Sequence, residues 1–303
     1  MNTKTISVDD DNVRLDRYIR RIFPHLKQSI IEKFLRKGLI KVDDHKAKSS
    51  DRISSGQIIT IKHLNSDQSQ ICDDKPKSNA KLVGLLQENI LYEDEYILAI
   101  NKPAGVTVQG GKINISDLLD QIREKEIFKI VHRLDRDTSG LIIFARNAGV
   151  AKYLMEEFKG RKIKKTYLAL TSGIPSKDNG IINHPLVKKY IAGQEKVVVD
   201  ESSSQSATTH FSIIAELKHN VAYLKLQPIT GRTHQLRAHL SHINCPILGD
   251  GKYGGKKAFV DGITNKMHLH SYSLSLRLPN NKSITIAAPI SEHIEQSIKT
   301  LSP

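Results

Sequence analysis

At 303 residues the chain is long enough for one large domain and a small one, given roughly 100 to 200 residues per domain. Lys and Arg outnumber Asp and Glu by 46 to 32, a formal net charge of +14, which points to a polyanionic partner with nucleic acid first in line. Two cysteines, Cys72 and Cys245, exclude a disulfide framework and a four-thiolate zinc site, and the sequence shows neither an apolar run of about 18 residues nor a basic-plus-apolar leader.

A protein without membrane segments, with reduced thiols in a cytoplasm, is therefore expected. Trp is absent and aromatics make up 5% of the chain, so electrostatic and shape recognition are favoured over a broad stacking platform for single strands. From Val13 to Lys41 nine Lys or Arg stand against Asp16 and Glu32. Leu15, Tyr18, Ile19 and Ile22 recur at helical spacing, and Pro24 ends that helix. A second helix is predicted from Ser29, with Glu32 completing a capping box and Ile30, Ile31, Phe34 and Leu35 as its buried stripe. Gly38 suits the left-handed position that closes a helix, and Leu39 to Val42 then reads as a strand entering an Asp43-Asp44 turn. Arg17, Arg20, Arg21, Lys33, Arg36 and Lys37 fall largely opposite the apolar stripes, where they can lie along phosphates. A merely solvated face would interleave the two signs of charge, and this one does not.

Residues 63 to 80, HLNSDQSQICDDKPKSNA, are polar, Ser-rich and aperiodic, and mark a connection. Beyond it ILYEDEYILAINKP, GLIIFARN, TYLALTSG and VAYLKLQPI read as strands, interleaved with helical stretches at 117–125 and 148–159. No repeat is visible, and the remainder reads as one mixed sheet with helices, an α+β arrangement.

Three segments crowd charged, polar and Gly residues between strand and helix signals, where loops present functional groups. They are INKPAGVTVQGG from Ile100, VHRLDRDTSGLIIFARN from Val131, and PITGRTHQLRAHLSHINCPILGDGKYGG from Pro228. In this order, with KKTYLAL between the second and third, they closely resemble the large-ribosomal-RNA class of pseudouridine synthases over Asn89 to Pro289. Val108-Gln109-Gly110-Gly111 and the N-terminal stretch are most similar to its C-type branch. The first 60 residues resemble the small RNA-binding module of the S-four ribosomal-protein type, on RLDRYI, SIIEKFLRKGLIKV and SSGQIITI. The resemblance implies a pseudouridine-synthase fold, with a mixed, largely antiparallel sheet and flanking helices and loops, behind a small α/β module. The boundaries read as 1–62 for the module, 63–84 for a linker and 85–303 for the catalytic domain.

The reaction so implied, isomerisation of uridines in large-subunit ribosomal RNA, breaks the ribose bond to a ring nitrogen and joins the same carbon to a ring carbon. It involves no redox change and no hydrolysis, so no cofactor or metal is called for. Nothing in the sequence calls for a protein partner or for more than a monomer. A carboxylate can attack sugar or uracil, or remove a sugar proton. The resemblance places it at Asp135; residue type alone leaves Asp137 equally open, and an Asp in a turn is more often a cap. A carboxylate in a desolvated pocket needs a cationic neighbour to stay ionised, and the resemblance assigns Arg237, with Thr233 read as the N-cap of its helix and Leu236 packing beside it. Tyr167, after the basic run KGRKIKK, is the implied pocket aromatic, while Lys162 and Lys164 in that run are expected to grip phosphates. A stacked uridine must be everted at a cost of a few kcal/mol. Arg133 resembles the residue that fills the vacated stack. His132 and Thr138 are expected to order the loop, and Lys102, Pro103 and Gly105 to shape the first wall of the pocket.

Two other readings compete. A metal-dependent hydrolase would draw on His234, His239 and His242 of one helix and His268 and His270 of one strand, yet no His-Glu-x-x-His pattern occurs. A non-enzymatic RNA-binding factor would need only the basic N-terminal stretch and has no use for Asp135, Tyr167 and Arg237 together.

Overall fold

The computed structural model describes residues 3–23, 26, 28–62, 80–110, 114–122, 128–191 and 193–303. The chain divides into two compact units, residues 1–78 and 79–303. No described helix is long and apolar enough to cross a membrane.

In the first unit the strands Thr3–Ser7, Ile58–Lys62, Ile40–Val42 and His45–Lys46 form one sheet in that order, and the helices Leu15–Ile22 and Gln28–Arg36 pack against it. The helical stripe of Leu15, Tyr18 and Ile19 meets Ile31, Phe34, Leu35, Ile40, Ile59 and Ile61 in a shared core. Gly38, at φ 67°, closes the second helix. Its N–H donates to the carbonyl of Leu35 and that of Leu39 to Phe34, which satisfies two carbonyls that the helix end would leave orphaned. Asp43 and Asp44 are both left-handed, the geometry a tight two-residue hairpin demands. The second helix starts at Gln28, one residue before the predicted cap, and Glu32 accepts from Gln28 Nε2 at 3.3 Å. Pro24 and the side chain of Ser29 lie outside the described residues, as does Cys72.

The second unit opens with a helix over Ala80–Glu88, whose first residues overlap the 63–84 stretch read as a linker. Leu82, Val83 and Leu86 pack on the sheet, and that apolar spacing outweighs the polar flank that suggested a connection. The ten-stranded sheet runs in the order Asn179–Asn183, Thr208–Leu217, Val221–Pro228, Lys164–Ser172, Leu269–Arg277, Ser139–Ala145, Ile97–Lys102, Ile90–Glu93. The short strands Ser283–Ala287 and Lys129–Ile130 pair with Leu269–Arg277 and Ser139–Ala145. Ile97–Lys102 and Ser139–Ala145 are covered on both faces. Ile97, Ala99, Leu141 and Ile143 join the core under the helix Ala148–Lys159, whereas Leu98, Ile100, Ile142 and Phe144 join the core under Ala80–Glu88 and Ile115–Ile122. Two-sided burial is why both strands read as unbroken apolar runs. The helix predicted at 117–125 spans Ile115–Ile122, and residues 123–127 are outside the described set.

Among the described strands of this sheet one pairing is parallel and the rest are antiparallel. Ser139–Ala145 and Leu269–Arg277 run parallel and share only Ser139↔His270 and Gly140↔Ser271 before they diverge. Gly140 (φ 104°) is needed there, because a Cβ would stand 2.3 Å from the Ser271 carbonyl oxygen. Side chains satisfy the backbone groups exposed by the divergence: Ser271 Oγ donates to Leu141 O at 3.0 Å, and Ile143 N donates to His132 Nε2 at 3.0 Å. His132 belongs to the loop that enters Ser139–Ala145, so this repair seats the loop over the middle of the sheet.

Candidate active site

That loop, residues 131–138, is fixed from three sides. Thr138 N donates to Asp135 O at 3.2 Å, and the buried Thr138 side chain anchors the turn. The His132 ring stacks on Phe158 at 4.8 Å. Burial, followed by the charge of Lys165, holds the His132 pKa down to about 3, so a neutral ring accepts from Ile143. Underneath, Lys102 is fully buried, and its Nζ donates to the carbonyls of Pro103, Val106 and Arg136, each at 2.9 Å. Burial pulls Lys102 down to about 7 against the attraction of Asp137 and Asp135. Three carbonyl oxygens require three protons, however, and only the ammonium form supplies them. Lys102 therefore binds two loops together from below and does not reach the cleft wall expected of it.

Asp135 faces the helix Gln235–His242, whose first turn carries Arg237. Arg237 Nη1 donates to Asp135 Oδ2 at 3.0 Å, while Nε and Nη2 donate to Asp250 Oδ2 and Oδ1 at 2.6 and 2.9 Å. Asp250 is 2% exposed, and the Arg237 guanidinium lies 4.8 Å from the centre of the Tyr253 ring. Burial works against the Arg237 charge, but the bonds from Asp250 and then Asp135 outweigh it and hold the guanidinium protonated more firmly than usual. Among the described residues Asp135 Oδ1 takes no hydrogen bond, so one oxygen is held and the other has no partner, in a residue that lines the cleft. Asp135, Arg237 and Tyr167 line one cleft of about 870 Å³, together with Arg133, Lys165 and Leu236, inside the roughly 300 to 1,000 Å³ span of ligand sites.

A family model described as RNA pseudouridylate synthase matches residues 96–242, which include both Asp135 and Arg237. The chain is 37% identical to the ribosomal large subunit pseudouridine synthase C of Rickettsia bellii over 272 residues, 87% of this chain and 89% of that protein. The chain belongs to the RNA pseudouridylate synthase family. A second relative, the ribosomal large subunit pseudouridine synthase C of Buchnera aphidicola, is 32% identical over 98% of this chain and 96% of its own length. Among solved structures, human RNA pseudouridylate synthase domain containing 4 superposes with a TM-score of 0.60 at 27% identity, covering 74% of this chain and 96% of that one.

In this pseudouridine synthase Tyr167 enters the cleft at a register shift between Thr166 and Tyr167, a bulge that re-aims the side chain. Burial pushes its hydroxyl up to about 12, opposed by the neighbouring Ser271 hydroxyl and reinforced by Asp135, so the phenol keeps its proton. Of the basic run, Lys159, Arg161 and Lys165 line the cleft. Lys162 and Lys164, the two expected on phosphates, do not line it, and Lys162 is paired with Glu157 at 2.8 Å. Strand alternation turns Lys165 inward, where its Nζ donates to Thr230 O at 3.1 Å. In the first unit Arg17, Arg20 and Arg36 are exposed, whereas Arg21 is held by Asp10 and by Asp9 at 3.4 Å and lies over the Tyr18 ring.

The helix that carries Arg237 begins later than predicted. Thr233 is exposed, and the N-cap is His234, in the left-handed region at φ 53° and without a side-chain cap bond. Gln235 does the local anchoring instead: its Oε1 accepts from Thr230 Oγ1 at 2.7 Å and Arg232 N at 3.0 Å, and its Nε2 donates to Thr208 O and Thr209 Oγ1, both at 3.0 Å. Sequence reasoning missed Gln235, Asp250, Tyr253 and the place of His234 in the cleft. Asp250 shows only as the cap of Gly251–Gly254, accepting from Tyr253 N, with nothing to reveal its second role on Arg237. Three of the other histidines of the hydrolase reading are engaged structurally. His239 contacts Thr209 Oγ1 at 2.9 Å, His268 contacts Ser297 Oγ at 2.8 Å and His270 contacts Ser139 Oγ at 2.9 Å. Among the described residues no three His, Cys, Asp or Glu gather as a metal site.

Proposed function

We propose that the chain isomerises specific uridines of large-subunit ribosomal RNA, with Asp135 as the reacting carboxylate, Arg237 as the cation paired with it and Tyr167 as the aromatic wall of the base pocket. The observation that carries this reading is the 3.0 Å contact of Arg237 Nη1 with Asp135 Oδ2, which leaves Oδ1 without a partner among the described residues. During the reaction the N1–C1′ bond breaks, the uracil turns, C5 bonds to C1′, the C5 proton leaves and N1 takes one. Atoms and electrons balance within the nucleoside, and Oδ1 can act on sugar or on base. Reaching Asp135 requires the uridine to leave its stack, and exposed Arg133 at the cleft rim is placed to occupy the gap. His132, Lys102, Thr138 and Leu236 support the site by holding its loops and walls. The names of the relatives favour the large ribosomal subunit as the source of the RNA, and hence the cytoplasm as the place of action.

The N-terminal unit, with exposed Arg17, Arg20 and Arg36, is read as an RNA-binding module of the S-four type that grips the backbone of the same RNA. The chain is read as acting alone, as a monomer and without a cofactor. Asp135→Asn is expected to abolish tritium release from large-subunit ribosomal RNA labelled at uracil C5 while leaving RNA affinity nearly unchanged; release equal to the wild type would refute the assignment. Mapping of pseudouridines in cells lacking the protein, with add-back of the intact chain and of Asp135→Ala, names the uridines.

A further inference from the structure

His234 is a cleft residue beside Asp135 that the reading above does not use. It lines the cleft, its Nε2 stands 3.7 Å from Asp135 Oδ2, and its Nδ1 lies 2.8 Å from the Tyr253 hydroxyl. Its backbone is left-handed at φ 53° and ψ 19°, a region few residues other than Gly occupy, and it opens a helix without capping it. Strain of this kind persists where the surroundings impose it.

The hydrogen bonds around Tyr253 fit one tautomer of the ring, with the proton on Nε2. Val197 N donates to the Tyr253 oxygen at 3.1 Å, which leaves the phenol hydrogen for His234 Nδ1. The opposite tautomer would aim an Nε2 lone pair at a carboxylate oxygen. The rings of His234 and Tyr253 stand at 88°, so the imidazole is fixed in direction as well as in tautomer. Burial first, with Arg237 and Lys252, disfavours a second proton, while Asp135 and Asp250 favour one; the balance lies below the ordinary histidine value.

Resting on the reading of Asp135 as the reacting carboxylate, we propose that His234 is a positioning residue whose Nε2–H joins Arg237 Nη1 on Oδ2, so that Oδ1 alone meets the nucleoside. At 3.7 Å the contact is longer than a formed hydrogen bond, and it closes when substrate fills the cleft. Tyr253 acts one step further out, through the tautomer it imposes. The arrangement matches the outer groups that orient functional side chains elsewhere, whose loss slows turnover without removing any reacting atom.

The test uses the full chain and a transcript of large-subunit ribosomal RNA tritiated at uracil C5, under single-turnover conditions with enzyme in excess. His234→Asn removes the Nε2 donor yet suits the left-handed backbone better than His, so the thermal midpoint is expected to hold or rise. The rate constant is expected to fall about 10- to 100-fold with RNA affinity unchanged. His234→Gln, whose amide nitrogen reaches the Nε2 position, is expected to recover part of the rate. A His234→Asn protein within about twofold of wild type, or a Gln variant no faster than the Asn variant, would overturn the proposal. Asp135→Asn run alongside separates the two readings. If it is inactive while His234→Asn is not, only the role of His234 falls; if it is active, the assignment of Asp135 falls first.

Discussion

Arg237 is a buried cation shared by two carboxylates of unequal standing. Asp250 is buried and bidentate, whereas Asp135 is partly exposed and held by one of its oxygens. The bidentate pair fixes the plane of the guanidinium, and the plane decides where Nη1 points. Asp250→Asn keeps the shape but removes the charge and replaces one acceptor with an amide donor that faces other donors. A stability loss of about 3 kcal/mol is expected, the scale for breaking a buried pair, together with slowed turnover because Asp135 loses its fixed partner. Urea unfolding and single-turnover tritium release measure the two effects separately. A variant of unchanged stability would mean that Asp250 is dispensable to the fold of the site.

At the level of elements, the two-residue parallel pairing at Ser139↔His270 and Gly140↔Ser271 is the shortest junction along the eight-strand path of the sheet. Gly140→Ala would drive a methyl group into the Ser271 backbone at a φ that L-residues avoid, and a loss of at least about 2 kcal/mol is expected. An unaltered urea midpoint would show that the pairing yields without penalty. This pairing was not legible in the sequence, because it joins residues some 130 apart and no local signal announces a parallel partner. By contrast, the helix Ala148–Lys159 was legible to the residue: Asn147 accepts from Val150 N at 2.9 Å as its cap, and Val150, Ala151 and Leu154 form the buried stripe. The loop bearing Asp135 and the helix bearing Arg237 could be found because each lies within a run of distinctive residue types. The start of the Arg237 helix could not, since cap preference favours Thr233 and a Gln235 network formed with distant Thr208 and Thr209 decides it instead. The inward turn of Lys165 and the bulge at Tyr167 depend on register with Leu269–Arg277, and register is a property of two strands.

Across the whole molecule, buried neutral histidines set a limit on acid tolerance. Burial holds His132 to about 3 and His268 and His270 to about 4, below the ordinary 6.5. The unfolded chain takes up these protons as pH drops below 6.5 and the folded chain refuses them until near pH 4. The stability they contribute is therefore complete above pH 6.5 and is lost as pH falls toward 4. With three such groups the slope approaches about 4 kcal/mol per pH unit in that window. Urea midpoints at pH 7, 6 and 5 check this, and a flat series would mean that these rings accept protons in place. The excess positive charge makes a separate prediction. Replacing exposed Arg17, Arg20 and Arg36 with Ser is expected to flatten the salt dependence of RNA binding by roughly 2 in log–log slope, at about 0.7 per phosphate contact. An unchanged slope would show that this face does not touch the backbone.

Asp135 rides on one side of the narrow pairing through the loop that enters Ser139–Ala145, while Tyr167 rides on the other side through a strand paired with Leu269–Arg277. Slipping that seam by a single residue would carry the acid about 3.3 Å, as far as it now stands from its guanidinium at 3.0 Å. The alignment of the reacting groups is thus a matter of sheet bookkeeping. A lesion at Gly140 or Ser271 could silence the enzyme while every wall of its cleft kept its native chemistry.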